Sequence, residues 1–229
     1  RKVFTAGRLI AEDGRVLIPL DDAAAGAPSH SIHLKPLAED ALSLPVRTGK
    51  ARVIGIEPAS LVTKSLVREV KTDDAGCFQS ALNPGLTKIA VIERHKRTGK
   101  LGIGILEGYG LTGGAIATTI SHDSHNIVVA GDNDPDMLLA VRELADMGGG
   151  IVSAIRRLPL PIAGLMTSAD PQEVNAVLHD MLVAARAELG IPEDVEPFMT
   201  LSFMALPVIP ELKLTARGLF NVNTFSFVG

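Results

Sequence analysis

The stretch TTISHDSHNIVVAGD (118–132) sets His122, Asp123, His125 and Asn126 between two apolar runs. Imidazole gives or takes a proton near neutral pH and ligates metals, and a carboxylate beside it can share either task. The chain has only six histidines, and two of them stand three residues apart here. On a helix that spacing shares a face, whereas on a strand odd spacing sends the rings to opposite faces. Between two β-type runs the backbone is a turn or loop, where both rings can converge. A complete metal site needs three or four ligands, and Asp123 or Asp132 is the available third. Three readings stay open on these residues alone: a polar structural turn, a catalytic or substrate-contacting loop, and a self-contained metal site.

A second constellation lies in VIERHKRTGK, where an apolar strand ends on Glu93, Arg94 and His95. Its plain reading is a solvated hairpin turn. Its sharper reading is a strand end that delivers charged groups to the site of His122. GYGLTGGA places Gly108, Gly110 and Gly113 at G-x-G-x-x-G spacing, with Asp132 about where a ribose-binding acid would stand. A dinucleotide site requires those glycines to open a helix, and the following AIATTIS is β-branched, so a turn between strands is expected. Cys77 has no recognisable nucleophile context. The chain contains no Walker loop, no nucleophile-elbow serine and no His-x-Glu paired with Cys-x-x-Cys.

Composition narrows the function classes. Apolar residues make up 46%, charged residues 21%, and the net charge is −4, which fits a folded globular chain and not a polybasic nucleic-acid binder. Aromatics are only 3%, with no Trp, which removes the stacking platforms of single-strand binders. One cysteine excludes an internal disulfide and suits a reducing, cytoplasmic setting. No apolar run reaches the ~18 residues that span a bilayer. The first residue is Arg1, read as a piece or processed product of a longer protein.

The elements that must position these residues are mostly strands. KVFTAGRLIA and RVLIPL read as a hairpin about EDG, and Asp21 to Pro45 as a linker or a segment lying on another domain. ARVIGIE and LVTKSLVREVK are β-rich, and KIAVIERH, LGIGILEGYG, GGAIATTIS and NIVVAGD follow as four more strands. DPDMLLAVRELADMGGG reads as a helix capped by Asp134, with Pro135 in its first turn and an apolar stripe of Met137, Leu138, Val141 and Leu144. Asp170 and Gly190 bracket a second helix. GGIVSAIRRLPLPI is a strand or hairpin, and the tail is proline-punctuated apolar core with a closing strand. Several strands precede the first helix, so the expected class is α+β, mostly antiparallel with two main helices.

KIAVIERHKRTGKLGIGILEGYGLTGGAIATTISHDSHNIVVAGDNDPDM resembles the C-terminal domain of bacterial adenine deaminase, as do LPLPIAGLM and PFMTLSFMALPVIPELKLTARGLF. The opening KVFTAGRLIAEDGRVL is similar to the segment that follows the family's catalytic barrel, a portion of its accessory β-sandwich. The resemblance divides the chain into a β segment with linker at 1–50 and the C-terminal α+β domain at 51–229. It implies a cytoplasmic, metal-dependent amidohydrolase of purine salvage, homo-oligomeric, that hydrolyses adenine to hypoxanthine and ammonia. A binuclear Mn or Fe centre on a TIM-like barrel would activate the water that attacks C6. That barrel carries an early His-x-His pair, which none of the six histidines forms here, so the metal ligands are expected outside this chain and the piece alone is expected to be inactive.

Under the resemblance, His122, Asp123 and His125 become candidates for catalysis, and Asn126, Glu93, Arg94 and His95 for substrate contact, on a loop covering the barrel's active site. The rival readings are a domain for folding and oligomer assembly without chemistry, and an independent metal-binding domain. One departure stands out: the family continues from GGGIV through a longer hairpin before LPLPIAG, where this chain has only SAIRR. Either the hairpin is short or residues are missing near 153–157.

Overall fold

The computed structural model describes residues 1–19, 30–154 and 156–228. The chain opens on a three-stranded antiparallel meander, β1 (Lys2–Thr5), β2 (Arg8–Glu12) and β3 (Arg15–Val16). The expected single strand over KVFTAGRLIA is therefore two strands. Ala6 and Gly7 both take positive φ, a tight turn that reverses the chain. Of the expected linker, residues 20–29 lie outside the described residues. The rest runs along the main sheet, burying Leu42 completely with Ile32, Leu34 and Leu37 beside it.

The main sheet has eight strands: β4 (Lys50–Ile56), β5 (Thr63–Glu69), β6 (Leu86–Ile92), β7 (Leu101–Glu107), β8 (Ala115–Thr118), β9 (Ile127–Gly131), β10 (Gly150–Ser153) and β11 (Arg156–Pro159). Their order is β11-β10-β8-β9-β6-β7-β4-β5. All neighbours are antiparallel except β4 and β7. Strands β10 and β11 pair with each other, with Ser153 opposite Arg156.

Period-two alternation sends Ala90, Ile92, Ala117, Ile127 and Val129 to one face and Ile89, Val91, Ile116, Val128 and Ala130 to the other. Both sets are buried because both faces are covered, which explains near-continuous apolar runs in central strands. The first face receives α1 (Asp134–Asp146) through the predicted stripe of Met137, Leu138, Val141 and Leu144. Each such side chain contributes about 1.5–3 kcal/mol by leaving water. The cap is Asn133 rather than Asp134: its side chain accepts from the Asp136 N–H at 2.9 Å and also donates to Asp136 at 2.7 Å.

The second face receives α2 (Pro171–Ala187), capped by Asp170 as its sequence indicates, and a third helix, α3 (Pro197–Phe203). A small antiparallel sheet completes this layer: β12 (Leu212–Thr215), β13 (Gly218–Asn221) and β14 (Ser226–Phe227). It lies close on β7 because Gly102 has no side chain there; a Cβ would meet the Thr215 carbonyl oxygen at 2.0 Å. The observed class is the expected α+β, in three layers. Among the described residues no helix is long and apolar enough to cross a membrane.

Candidate functional site

Strand register brings the two polar constellations together. Ile92, the last residue of β6, pairs with Ile127, the first of β9. Residues 93–95 and the loop from Thr119 to Asn126 therefore leave the same end of neighbouring strands. His95 Nε2 lies 2.8 Å from the Ser124 carbonyl oxygen, and the Arg94 Nε donates to the His125 carbonyl oxygen at 2.5 Å.

Within the loop the two imidazoles meet, with ring centroids 5.6 Å apart and the planes inclined by 67°. A turn achieves what a strand forbids. His125 takes φ +47°, its N–H donates to the Ser121 carbonyl oxygen at 2.5 Å, and the Ser121 N–H points to His125 Nδ1 at 3.4 Å. Both rings are half-buried, and Asp123 between them is exposed.

His122 is held from the far layer: its N–H donates to the Ser202 carbonyl oxygen at 3.0 Å, and its ring lies 4.6 Å from that of Phe203. Both partners belong to α3, which is itself anchored by the hydroxyl of buried Tyr109 donating to the Pro197 carbonyl oxygen at 2.9 Å. His122 also borders a cavity of about 280 Å³ whose other walls include Ile120, Phe198, Met199 and Phe203.

The surroundings of His125 favour its neutral form. Burial first, then the neighbouring His122 and the Arg94 guanidinium, lower its pKa below the ordinary imidazole value, and Asp123 opposes them. Glu93 behaves differently. Burial works against its charge, but hydrogen bonds from the Thr98 hydroxyl and N–H and from the His95 and Lys96 N–H groups bring its carboxyl to about 2. Those bonds shape the turn after β6. The Arg94 side chain is buried, and its guanidinium donates to Ser31, His125 and Ala163. Asn126 is half-buried; its Oδ1 and the Ser121 Oγ are buried without a hydrogen-bond partner among the described residues.

The glycine-rich segment Gly108–Gly114 is a connection between β7 and β8, and no helix follows it. Asp132 closes that connection by accepting from the Gly113 and Gly114 N–H groups, at 2.5 and 3.2 Å. Ser31, Thr119, Ala163, Ser202 and Phe203 join the site's surroundings without any local sequence signal.

Residues 60–226 match the family model of the adenine deaminase C-terminal domain. The chain belongs to that family. It is 56% identical over 232 residues to an adenine deaminase of Nitratidesulfovibrio vulgaris, covering 99% of this chain and 40% of that protein. It is 45% identical over 234 residues to adenine deaminase 2 of Carboxydothermus hydrogenoformans, with the same two coverages. With the adenine deaminase of Clostridium acetobutylicum it shares 43% over 205 residues, covering 87% of this chain and 36% of that one. The chain thus spans about two fifths of the length of the curated relatives it matches. The family match contains the whole loop, Glu93 to His95 and α3, so every side chain placed in the site so far lies in the shared domain apart from Ser31.

The donor set does not fit a metal centre. Among the described residues no group of three or more His, Cys, Asp or Glu converges as ligands would. Two imidazoles and one exposed carboxylate can donate, accept and orient.

Proposed function

We propose that this chain is the C-terminal part of a metal-dependent adenine deaminase, and that its 121–126 loop completes or covers an active site whose Mn or Fe centre is held by residues outside this chain. The reaction would be hydrolysis of adenine to hypoxanthine and ammonia. The observation that carries the reading is the convergence of His122 and His125 at 5.6 Å on a loop of the shared domain, beside an exposed Asp123. Replacing an exocyclic amine by oxygen requires protons to move on and off ring and leaving nitrogen, which is work suited to imidazole and carboxylate. A His125 kept neutral can accept a proton, and Asp123 can orient or stabilise the imidazolium that results. Asn126 at the end of the loop and His95 beside it are further polar contacts for substrate. Family membership supports the substrate class, and the donor set supports placing the metal elsewhere.

The test is His122→Ala and His125→Ala, singly, in the full-length enzyme. Turnover of adenine should fall by about 100-fold or more, general acid–base groups being worth ~10²–10⁴, with metal content and fold retained. Unchanged turnover at unchanged metal content would reduce the loop to a structural turn.

A further inference from the structure

The loop's shape is costly. His125 adopts φ +47°, in the left-handed region that disfavours a side chain, and the Ser121 Oγ and Asn126 Oδ1 are buried without a partner among the described residues. Such a conformation holds only where the surroundings over-determine it. The surroundings converge on Arg94. Arg94 is 1% exposed. Nε donates to the His125 carbonyl oxygen, Nη1 to the carbonyl oxygen and hydroxyl of Ser31 at 3.1 and 3.0 Å, and Nη2 to the Ala163 carbonyl oxygen at 3.0 Å.

Gly164 comes next, and a Cβ there would stand 3.0 Å from the guanidinium, so the close approach depends on glycine. The Gly164 carbonyl oxygen accepts from the Thr119 hydroxyl at 2.5 Å, and that hydroxyl accepts from the Gly150 N–H at 2.8 Å. Both ends of the loop are therefore fastened to adjacent residues of one turn: the leading end by Thr119 to Gly164, the trailing end through Arg94 to Ala163.

We propose that Arg94 is a positioning residue, which together with Thr119 clamps the loop to the turn at Ala163 and Gly164 and so sets where the His122 and His125 rings stand. The proposal rests on the functional reading above and assigns Arg94 a task other than substrate contact. Arginine suits this task because its planar fork reaches acceptors on three segments at once, whereas lysine brings one nitrogen.

The experiment uses the full-length enzyme with Arg94→Ala, Arg94→Lys and Thr119→Val. Amide hydrogen exchange at Ser121–Asn126 should accelerate in all three, with exchange in β6 unchanged. For adenine, kcat should fall on the order of 100-fold, as expected when reacting groups are misplaced by about an ångström. KM should stay within about twofold, because no ground-state contact is lost. Millimolar guanidinium should restore part of the turnover of Arg94→Ala and none of that of Thr119→Val. Should Arg94→Ala not fold, Thr119→Val and Arg94→Lys carry the same readouts.

Unchanged loop exchange in a folded variant overturns the clamp, whatever happens to turnover. A raised KM with unchanged kcat overturns it too, by making Arg94 a binding group. Faster exchange with unchanged turnover, alongside active His122→Ala and His125→Ala, sinks the functional reading and with it the catalytic purpose of the clamp.

Discussion

His125 sits where charge is penalised from several directions, and each contribution has a named source. Burial lowers its pKa most, then His122 and Arg94, while Asp123 pulls the other way. Its imidazole should therefore titrate below the ordinary value of about 6.5 in a nuclear magnetic resonance titration. His122→Gln should move that midpoint up part of the way, since burial persists. Asp123→Asn should move it further down. A midpoint at or above 6.5, or shifts of the opposite sign, would show that the loop is not arranged as described.

The consequence for stability has a definite sign. The unfolded chain binds a proton at His125 before the folded one does, so stability rises with pH across that interval. The contribution is fully present above about 6.5 and is lost as pH falls through the lowered value. In the proposed role of base His125 would work while neutral, so turnover on the acid side should persist to lower pH than a solvated histidine would allow.

Elements hold these residues in place through contacts of very different sequence range, and that range decides what could be read in advance. The strands β6 to β9 and the helix α1 were legible because alternation, β-branching and the Met137–Leu144 stripe are local patterns. The α1 cap was displaced by one residue because Asn133 and Asp134 are both good caps, and only the side-chain geometry selects Asn133. Helix α3 was hidden in an apolar run, its cap being Glu196, a residue type seldom used there. In the site, the histidine pair was visible and its support was not. Arg94 reaches Ser31 and Ala163 across 63 and 69 residues, separations at which no local pattern exists.

The same long-range logic yields a prediction for the layer that carries α3. Gly102 has ordinary backbone geometry, so alanine there fails for want of space alone: its Cβ would meet the Thr215 carbonyl oxygen at 2.0 Å. Backbone cannot rotate away as a side chain can, so β12 and β13 would have to lift from β7. Gly102→Ala should destabilise the protein by at least about 2–3 kcal/mol in denaturant unfolding, the upper end for overpacking. Gly76→Ala, where a Cβ would meet nothing within 4 Å, isolates the effect of φ: it should cost less despite its left-handed backbone.

At the scale of the molecule, the described residues build a three-layer core, while the proposed chemistry draws on groups outside them. Every central strand of that core is covered on both faces. The site is different: its two rings meet, but no group of three or more His, Cys, Asp or Glu converges among the described residues as metal ligands would. The opening meander also leaves Val3, Phe4, Val16 and Leu17 exposed, and three strands so short are marginal on their own. Purified as 229 residues, the protein should therefore fold cooperatively outside the opening meander, retain no stoichiometric Mn or Fe, and convert no adenine to hypoxanthine when followed by ultraviolet absorbance. Under the proposed function, a separate polypeptide supplying the other three fifths of the relatives' length should restore turnover if the loop completes a shared site, and His122→Ala in this piece should cancel that restoration. Restoration that survives the substitution would instead favour a domain that assembles the enzyme without touching its chemistry, because assembly needs the three-layer core and is indifferent to one imidazole.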